Sequence, residues 1–213
     1  MAKPLVLTKE NVLATMEGRK TMTRRIISDN RLQNVPWDGI SYIMNNPPHQ
    51  HSGKWYYDLQ SKVDDTDHIE IKPKYQVGDE VYVAEGYQIT SFQVNPEYGF
   101  KGKYLADGKE FVIPPTKHES NLWIKRKFPH RPTSGRFMYK SLARTFMRIT
   151  EVKVERLQSI SNEDVKAEGV IVRNIGETPY RAFKTLWDSI HGDRAWDLNP
   201  WVFGYRWELI RNV

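Results

Sequence analysis

Eight residues near the N-terminus, Gly18-Arg19-Lys20-Thr21-Met22-Thr23-Arg24-Arg25, bring together four cations and two hydroxyls. Such a set suits two kinds of chemistry. It can hold an anion or a nucleotide, or it can supply a threonine nucleophile with a lysine to activate it. A threonine hydroxyl needs a base. A lysine serves as that base only when neutral, and its unperturbed pKa of about 10.4 keeps it charged near pH 7. Burial and neighbouring cations such as Arg19, Arg24 or Arg25 push that value down. The plain alternative is a solvated basic hairpin edge. If the stretch enters a strand, side chains alternate between two faces. Thr21, Thr23 and Arg25 then share one face, and Lys20, Met22 and Arg24 share the other.

A second constellation lies between Lys117 and Arg148. It carries nine basic residues (Lys117, Lys125, Arg126, Lys127, Arg131, Arg136, Lys140, Arg144 and Arg148) against Glu119, a net of 9 − 1 = +8. The whole chain carries only +6, with a pI of about 9.3. Trp123, Phe128, Phe137 and Tyr139 are interleaved with these cations. Cations for phosphates and rings for bases are what a nucleic acid requires. The competing reading is a solvated face on an ordinary basic protein. Asp58 to Glu80 is the acidic counterweight.

Other chemistries find little support. There are no cysteines, which excludes disulfides, thiol catalysis and thiolate zinc sites. His49 and His51 flank Gln50 without an obvious third ligand, so no metal site is expected. Gly-rich phosphate loops and Walker patterns are absent, and no cofactor is expected. No apolar run is long enough to span a bilayer, and the opening MAKPLVL lacks a signal-peptide core. A soluble, cytoplasmic protein with no membrane partner is the expectation.

The elements that must position these residues follow from periodicity and punctuation. Pro4 to Leu7 reads as a short strand. Thr8 caps a helix from Lys9 to Glu17 with Val12, Leu13 and Met16 on one face, and Gly18 ends it. Thr21 to Ile27 is the next strand. Residues 28 to 74 read as a loop-like insertion, with a short strand at Lys54 to Leu59. Glu80 to Ala84 alternates with period two after the Gly78-Asp79 turn. Phe100 to Ala106 turns at Asp107-Gly108 into Glu110 to Ile113. A second irregular insertion runs from 114 to 135. Thr145 to Leu157 reads as a long strand. Ser161 caps a short helix reaching about Glu168, with Asp164 at its third position. Thr178-Pro179 opens a helix that Gly192 stops. In it, Tyr180, Phe183, Trp187 and Ile190 form a stripe that reads as core. Asn199-Pro200 reads as a turn that anchors Trp201, or leaves it to stack on a base. Trp201 to Ile210 closes the chain as a strand. Six or seven strands with short helices between them point to a small, mostly antiparallel barrel rather than a doubly wound parallel sheet.

On these residues the chain resembles a known family. LVLTKENVLATMEGRKTMTRRII is similar to the opening of ASCH-domain proteins, with their Gly-Arg-Lys-Thr-x-Thr signature after the first helix. YQVGDEVYVAEGY and ITEVKVERLQSISNEDVKAEGV resemble their next blocks. WDSIHGDRAWDLNPWVFGYRWELI resembles the ending of the longer bacteriophage and prophage members. Two departures stand out. Ala84 replaces an arginine those members often carry before the glutamate matching Glu85, and Met138-Tyr139-Lys140-Ser141 replaces a Met-Pro-Arg-Trp segment. The resemblance implies an α+β, mainly β fold: a PUA-like (ASCH) β-barrel with peripheral short helices and two long insertions. It would form a single domain over residues 1–213, with the insertions at about 28–74 and 114–135.

The resemblance also implies a ligand and a site. Some small ASCH proteins are amidohydrolases that remove the acetyl group of N4-acetylcytidine, and their catalytic set maps onto Lys20, Thr23 and Glu168. Glu168 would orient the lysine or act as acid or base at the leaving amine, although a nearby carboxylate raises a lysine pKa. Lys20 and Glu168 as a simple ion pair is the bland alternative. Arg19, Thr21, Arg24, Arg25 and Glu85 are candidate ligand-binding residues. Glu85 either lines a cleft or pairs with a cation, and pairing is favoured. Lys125, Arg126, Lys127, Arg131, Arg136, Lys140 and Arg144 are candidate nucleic-acid contacts. The leading expectation is a nucleic-acid or nucleotide-binding module with a basic cleft, whose partner is RNA ahead of DNA, or a modified nucleoside. An amidohydrolase follows, then a ribonuclease.

Overall fold

The computed structural model describes residues 2–27, 49–51, 54–60, 66–92, 100–113, 131–172 and 176–212. The chain opens with β1 (Lys3–Val6), α1 (Lys9–Met16), β2 (Met22–Ile26), β3 (His49–His51), β4 (Lys54–Gln60) and β5 (Thr66–Ile71). Next come β6 (Glu80–Ala84), β7 (Tyr87–Phe92), β8 (Phe100–Tyr104) and β9 (Glu110–Ile113). It ends with β10 (Thr145–Arg156), α2 (Asn162–Ala167), α3 (Pro179–His191) and β11 (Trp201–Asn212). The class is α+β, dominated by strands. No helix among the described residues is long and apolar enough to cross a membrane.

The chain divides into two compact units, each assembled from separate segments. Unit one comprises Met1–Lys20, Asp79–Arg148 and Glu208–Val213; unit two comprises Thr21–Gly78 and Ile149–Trp207. The two longest strands, β10 and β11, each have a part in either unit.

In unit one, β1 runs parallel to β6, pairing Leu5 with Val83, while β10 runs antiparallel to β6, pairing Met147 with Val81. A separate antiparallel sheet holds β7, β8 and β9. Tyr82, Ala84, Tyr87, Ile89, Tyr104, Met138 and Leu142 form the core here. Helix α1 starts where expected because Thr8 accepts a hydrogen bond from the Asn11 N–H. It ends at Gly18, whose φ of 74° only glycine adopts without strain. Its buried side is Val12, Ala14 and Thr15 rather than Val12, Leu13 and Met16. Gly135 lies so close to β6 that a Cβ there would sit 2.2 Å from the Ala84 carbonyl oxygen.

In unit two, the neighbour order is β10-β11-β2. Strand β2 pairs antiparallel with β11, setting Arg25 against Phe203, Arg24 against Gly204 and Thr23 against Tyr205. Leu157, Ile160, Val165, Phe183, Trp187, Trp196 and Val202 form its core. Helix α3 opens on Thr178, which accepts from the Arg181 N–H, and Pro179; Gly192 ends it. Only half of its predicted stripe is buried. Phe183 and Trp187 are inside, while Tyr180 and Ile190 are exposed.

Three sequence expectations need correction. The described residues contain eleven strands, not six or seven. Strands β3, β4 and β5 make a three-stranded antiparallel sheet inside the supposed loop of residues 28–74. Polar residues such as Thr66, Asp67 and His68 hid β5, because a strand paired through its backbone needs no apolar run. No sheet among the described residues closes into a barrel. Of the second insertion, residues 114–130 lie outside the described residues.

Candidate functional site

The signature straddles the boundary between the units. Lys20 is the last residue of unit one and is 2% exposed. Its N–H donates to the Ala14 carbonyl at 2.9 Å, so the backbone just after α1 is fixed. Arg19 is exposed and paired with Glu17. From Thr21 onward the chain belongs to unit two. The Thr21 N–H donates to the Ala167 carbonyl at 2.8 Å, and its own carbonyl accepts from Trp207 at 2.9 Å. The entry to β2 is thereby tied both to the end of α2 and to β11.

The two faces of β2 do different work, as strand alternation requires. On one face Arg24, its side chain fully buried, meets three carboxylates. Its Nε donates to Glu155 Oε1 at 2.8 Å, its Nη1 to Glu168 Oε1 at 3.1 Å and its Nη2 to Asp164 Oδ2 at 2.8 Å. Lys153 pairs with Asp164 and, at 3.1 Å, with Glu155. Arg206 donates to Asp164 Oδ1 at 2.7 Å and to Glu151 at 3.1 Å. Gly204 makes room: a Cβ there would lie 2.9 Å from Met22 Cε and 3.1 Å from Lys153 Cγ. Burial raises the Asp164 carboxyl, but the hydrogen bond and charge of Lys153, then Arg24, outweigh it and hold it below the usual carboxylate value. A guanidinium fork meeting several carboxylates is the geometry that lets these charges stay buried.

The opposite face carries Thr23, Arg25, Phe203 and Tyr205. Thr23 is 6% exposed and Arg25 is half-buried. Of the three predicted catalytic residues, Glu168 is therefore held by Arg24, while Thr23 belongs to the other strand face. Strand β2 meets the C-terminal end of α2 through Arg24.

Glu85 and Arg144 meet each other, in unit one. Arg144 forks onto Glu85 through two 2.8 Å bonds and reaches Asp107 at 2.7 Å. It lies 3.9 Å above the Tyr104 ring. Glu85 is 1% and Arg144 4% exposed. Burial acts to lower the Arg144 pKa, but the bonds from Glu85 and Asp107 raise it instead, so the guanidinium stays charged. Arg144, expected among the nucleic-acid contacts, thus directs its donors inward to carboxylates. Arg131, Arg136 and Lys140 are exposed. Lys125, Arg126 and Lys127 lie outside the described residues. Trp201 is half-buried beneath Arg156, whose guanidinium sits 4.4 Å from its ring, and Asn199 accepts from the Gln158 N–H at 2.9 Å. Among the described residues no group of three His, Asp or Glu side chains is placed to hold a metal ion.

Sequence reasoning missed Glu155 as a partner of Arg24, and Lys153 and Arg206 as partners of Asp164. The signal was present: Glu151, Lys153 and Glu155 alternate with Val152 and Val154, which puts all three charges on one strand face. No protein-family model matches the chain, and neither does any curated protein or solved structure.

Proposed function

We propose that this chain is a nucleic-acid- or nucleotide-binding module of the ASCH type, built around a PUA-like core, with RNA as the preferred polymer. One observation carries the reading. The signature strand and the helix ending at Glu168, 144 residues apart between Arg24 and Glu168, are bonded directly to each other. The exposed cations Arg131, Arg136 and Lys140 add a surface suited to phosphates. The test is binding of a short single-stranded RNA to the full chain across a salt series. Affinity is expected to fall steeply with salt, because neutralised phosphates release counterions. No binding at low salt would sink the proposal.

The amidohydrolase is the second reading, favoured by the burial of Lys20, Thr23 and Glu168, since buried ionisable and polar groups collect at functional sites. It ranks second because Arg24 engages Glu168 on the strand face opposite Thr23. Release of cytidine and acetate from N4-acetylcytidine, lost in Lys20→Ala and in Thr23→Ala, would move it to first place.

A further inference from the structure

Arg156, the last residue of β10, is placed unlike the arginines described above. Arg24, Arg144 and Arg206 all donate to carboxylates. Arg156 instead donates through Nη1 to the Asn199 carbonyl at 3.0 Å, and its guanidinium lies 4.4 Å from the centre of the Trp201 ring. Among the described residues no carboxylate bonds to it. Burial holds its pKa below the usual guanidinium value, with no anion opposing, whereas Glu85 and Asp107 raise that of Arg144. A guanidinium has five N–H donors, and Asn199 takes only a minority of them. The one buried side-chain nitrogen or oxygen without a partner among the described residues is Trp187 Nε1. The unused donors of half-buried Arg156 are therefore open to solvent.

The surrounding chain holds this guanidinium in place. The Gln158 N–H donates to Asn199 Oδ1 at 2.9 Å, Gln158 Nε2 to the Trp196 carbonyl at 3.0 Å, and the Leu157 N–H to the Pro200 carbonyl at 3.0 Å. Asn199 has a φ of 42°, a left-handed conformation that asparagine adopts more readily than most residues. These bonds tie the end of β10 to the start of β11, and every residue in them lies in unit two. Trp201 precedes Phe203 and Tyr205 by two and four positions along β11. Alternation therefore puts it on the strand face that carries Thr23. At about 3.3 Å per residue, it stands roughly 13 Å along the strand from Tyr205, the partner of Thr23.

We propose that Arg156, held on Trp201, is a phosphate contact for a single-stranded nucleic acid that reaches the Thr23 face at its Trp201 end. The inference rests on the binding reading above and assigns it a residue outside the basic segment of residues 117–148. Partial burial of a cation without a counter-ion costs solvation, and an anion that takes up its free donors offsets that cost. One guanidinium matches one negative charge, which is what a phosphodiester carries, and its planar fork fits two phosphate oxygens. The stack on Trp201 sets the guanidinium plane before a ligand arrives, so less freedom is lost on binding. A free nucleotide shares the phosphate chemistry; the single charge favours the diester of a strand.

The experiment is binding of a fluorescently labelled oligouridylate to the full chain across a salt series. Arg156→Gln is expected to weaken binding about tenfold, the worth of one charged hydrogen-bonded contact, and to reduce the salt slope by about 0.7. Arg156→Lys keeps the charge but loses the planar fork, so it should recover the slope and not the affinity. Thermal unfolding of each variant checks that it folds. A footprint on the unaltered chain needs no variant: phenylglyoxal modification of Arg156, read by peptide mass spectrometry, should be suppressed by saturating RNA. A nucleoside 5′-monophosphate at the same phosphate concentration should suppress it less. Unchanged affinity in folded Arg156→Gln, full recovery of affinity in Arg156→Lys, or equal modification with and without RNA each overturns the contact. Equal protection by the mononucleotide assigns the site to free nucleotides and overturns the strand. If RNA binds with a steep salt dependence while Arg156 stays reactive, the binding function stands and only this contact falls. If no RNA binds, both fall.

Discussion

At the scale of single residues, Arg144 and Arg24 show that a basic residue's role depends on what faces it. Arg144 neutralises Glu85, which is 1% exposed. Removing one partner of a buried pair strands the other charge. Arg144→Met is therefore expected to destabilise by about 3–5 kcal/mol in urea unfolding, and the double change with Glu85→Leu to recover most of it. A double variant as unstable as the single would show that the pair is not the source. Acid provides a second check. The Arg144 hydrogen bond, against some burial, depresses the Asp107 carboxyl, and Lys153 and Arg24 outweigh burial to depress that of Asp164. Folded-state values below the unfolded value of about 3.9 contribute stability that is complete above that pH and lost as pH falls through the folded values. Urea midpoints should fall in that acid window, and fall less in Asp107→Asn. A flat profile for the parent protein would contradict the assignment.

At the scale of elements, α2 and its C-cap carry Asp164 and Glu168 to Arg24, and the helix entry is fixed by Ser161, which accepts from the Asp164 N–H at 3.1 Å. Ser161→Ala is expected to lower stability by about 1 kcal/mol, and Ser161→Asp to restore it, read by thermal unfolding. Equal loss in both would point away from the cap. In unit one the approach of Gly135 to β6 leaves no room for a methyl group. Gly135→Ala should cost about 1–3 kcal/mol, whereas Gly78→Ala, with open space around it, should be limited to the backbone strain of its φ of 88°. These elements were largely legible beforehand. Caps, glycine stops and period-two alternation are local signals, and α1, α3, β6 and β11 sit within a few residues of their expected bounds. Strand β5 was not legible, since its partners supply the order that its own polar sequence does not advertise.

At the scale of the whole molecule, the net charge of +6 bears on the proposed binding of polyanions. Each phosphate contact with a single strand contributes about 0.7 to the salt slope. Replacing Arg131, Arg136 and Lys140 together with Ala is expected to reduce the slope by about 2, measured by fluorescence anisotropy of a labelled RNA. Arg144 contributes nothing to that slope, because its charge is already neutralised inside unit one. An unchanged slope in the triple variant would place the polymer elsewhere on the surface.

Sequence by itself determined the strand-rich class, the helix starts and stops, the net charge, and which residues cluster in the signature. Those features depend on side-chain type and on spacing of a few positions, so they are written locally. Tertiary structure alone decided which cations are used up. Arg24 finds Glu155, Asp164 and Glu168 at separations of 131, 140 and 144 residues, and Arg144 finds Glu85 at 59. Arg25, one residue after Arg24, turns to the opposite strand face. In sequence these three arginines look alike. For Arg24 and Arg144 the role is set by the carboxylates that distant segments bring within a hydrogen bond's reach, and only the folded chain sets that.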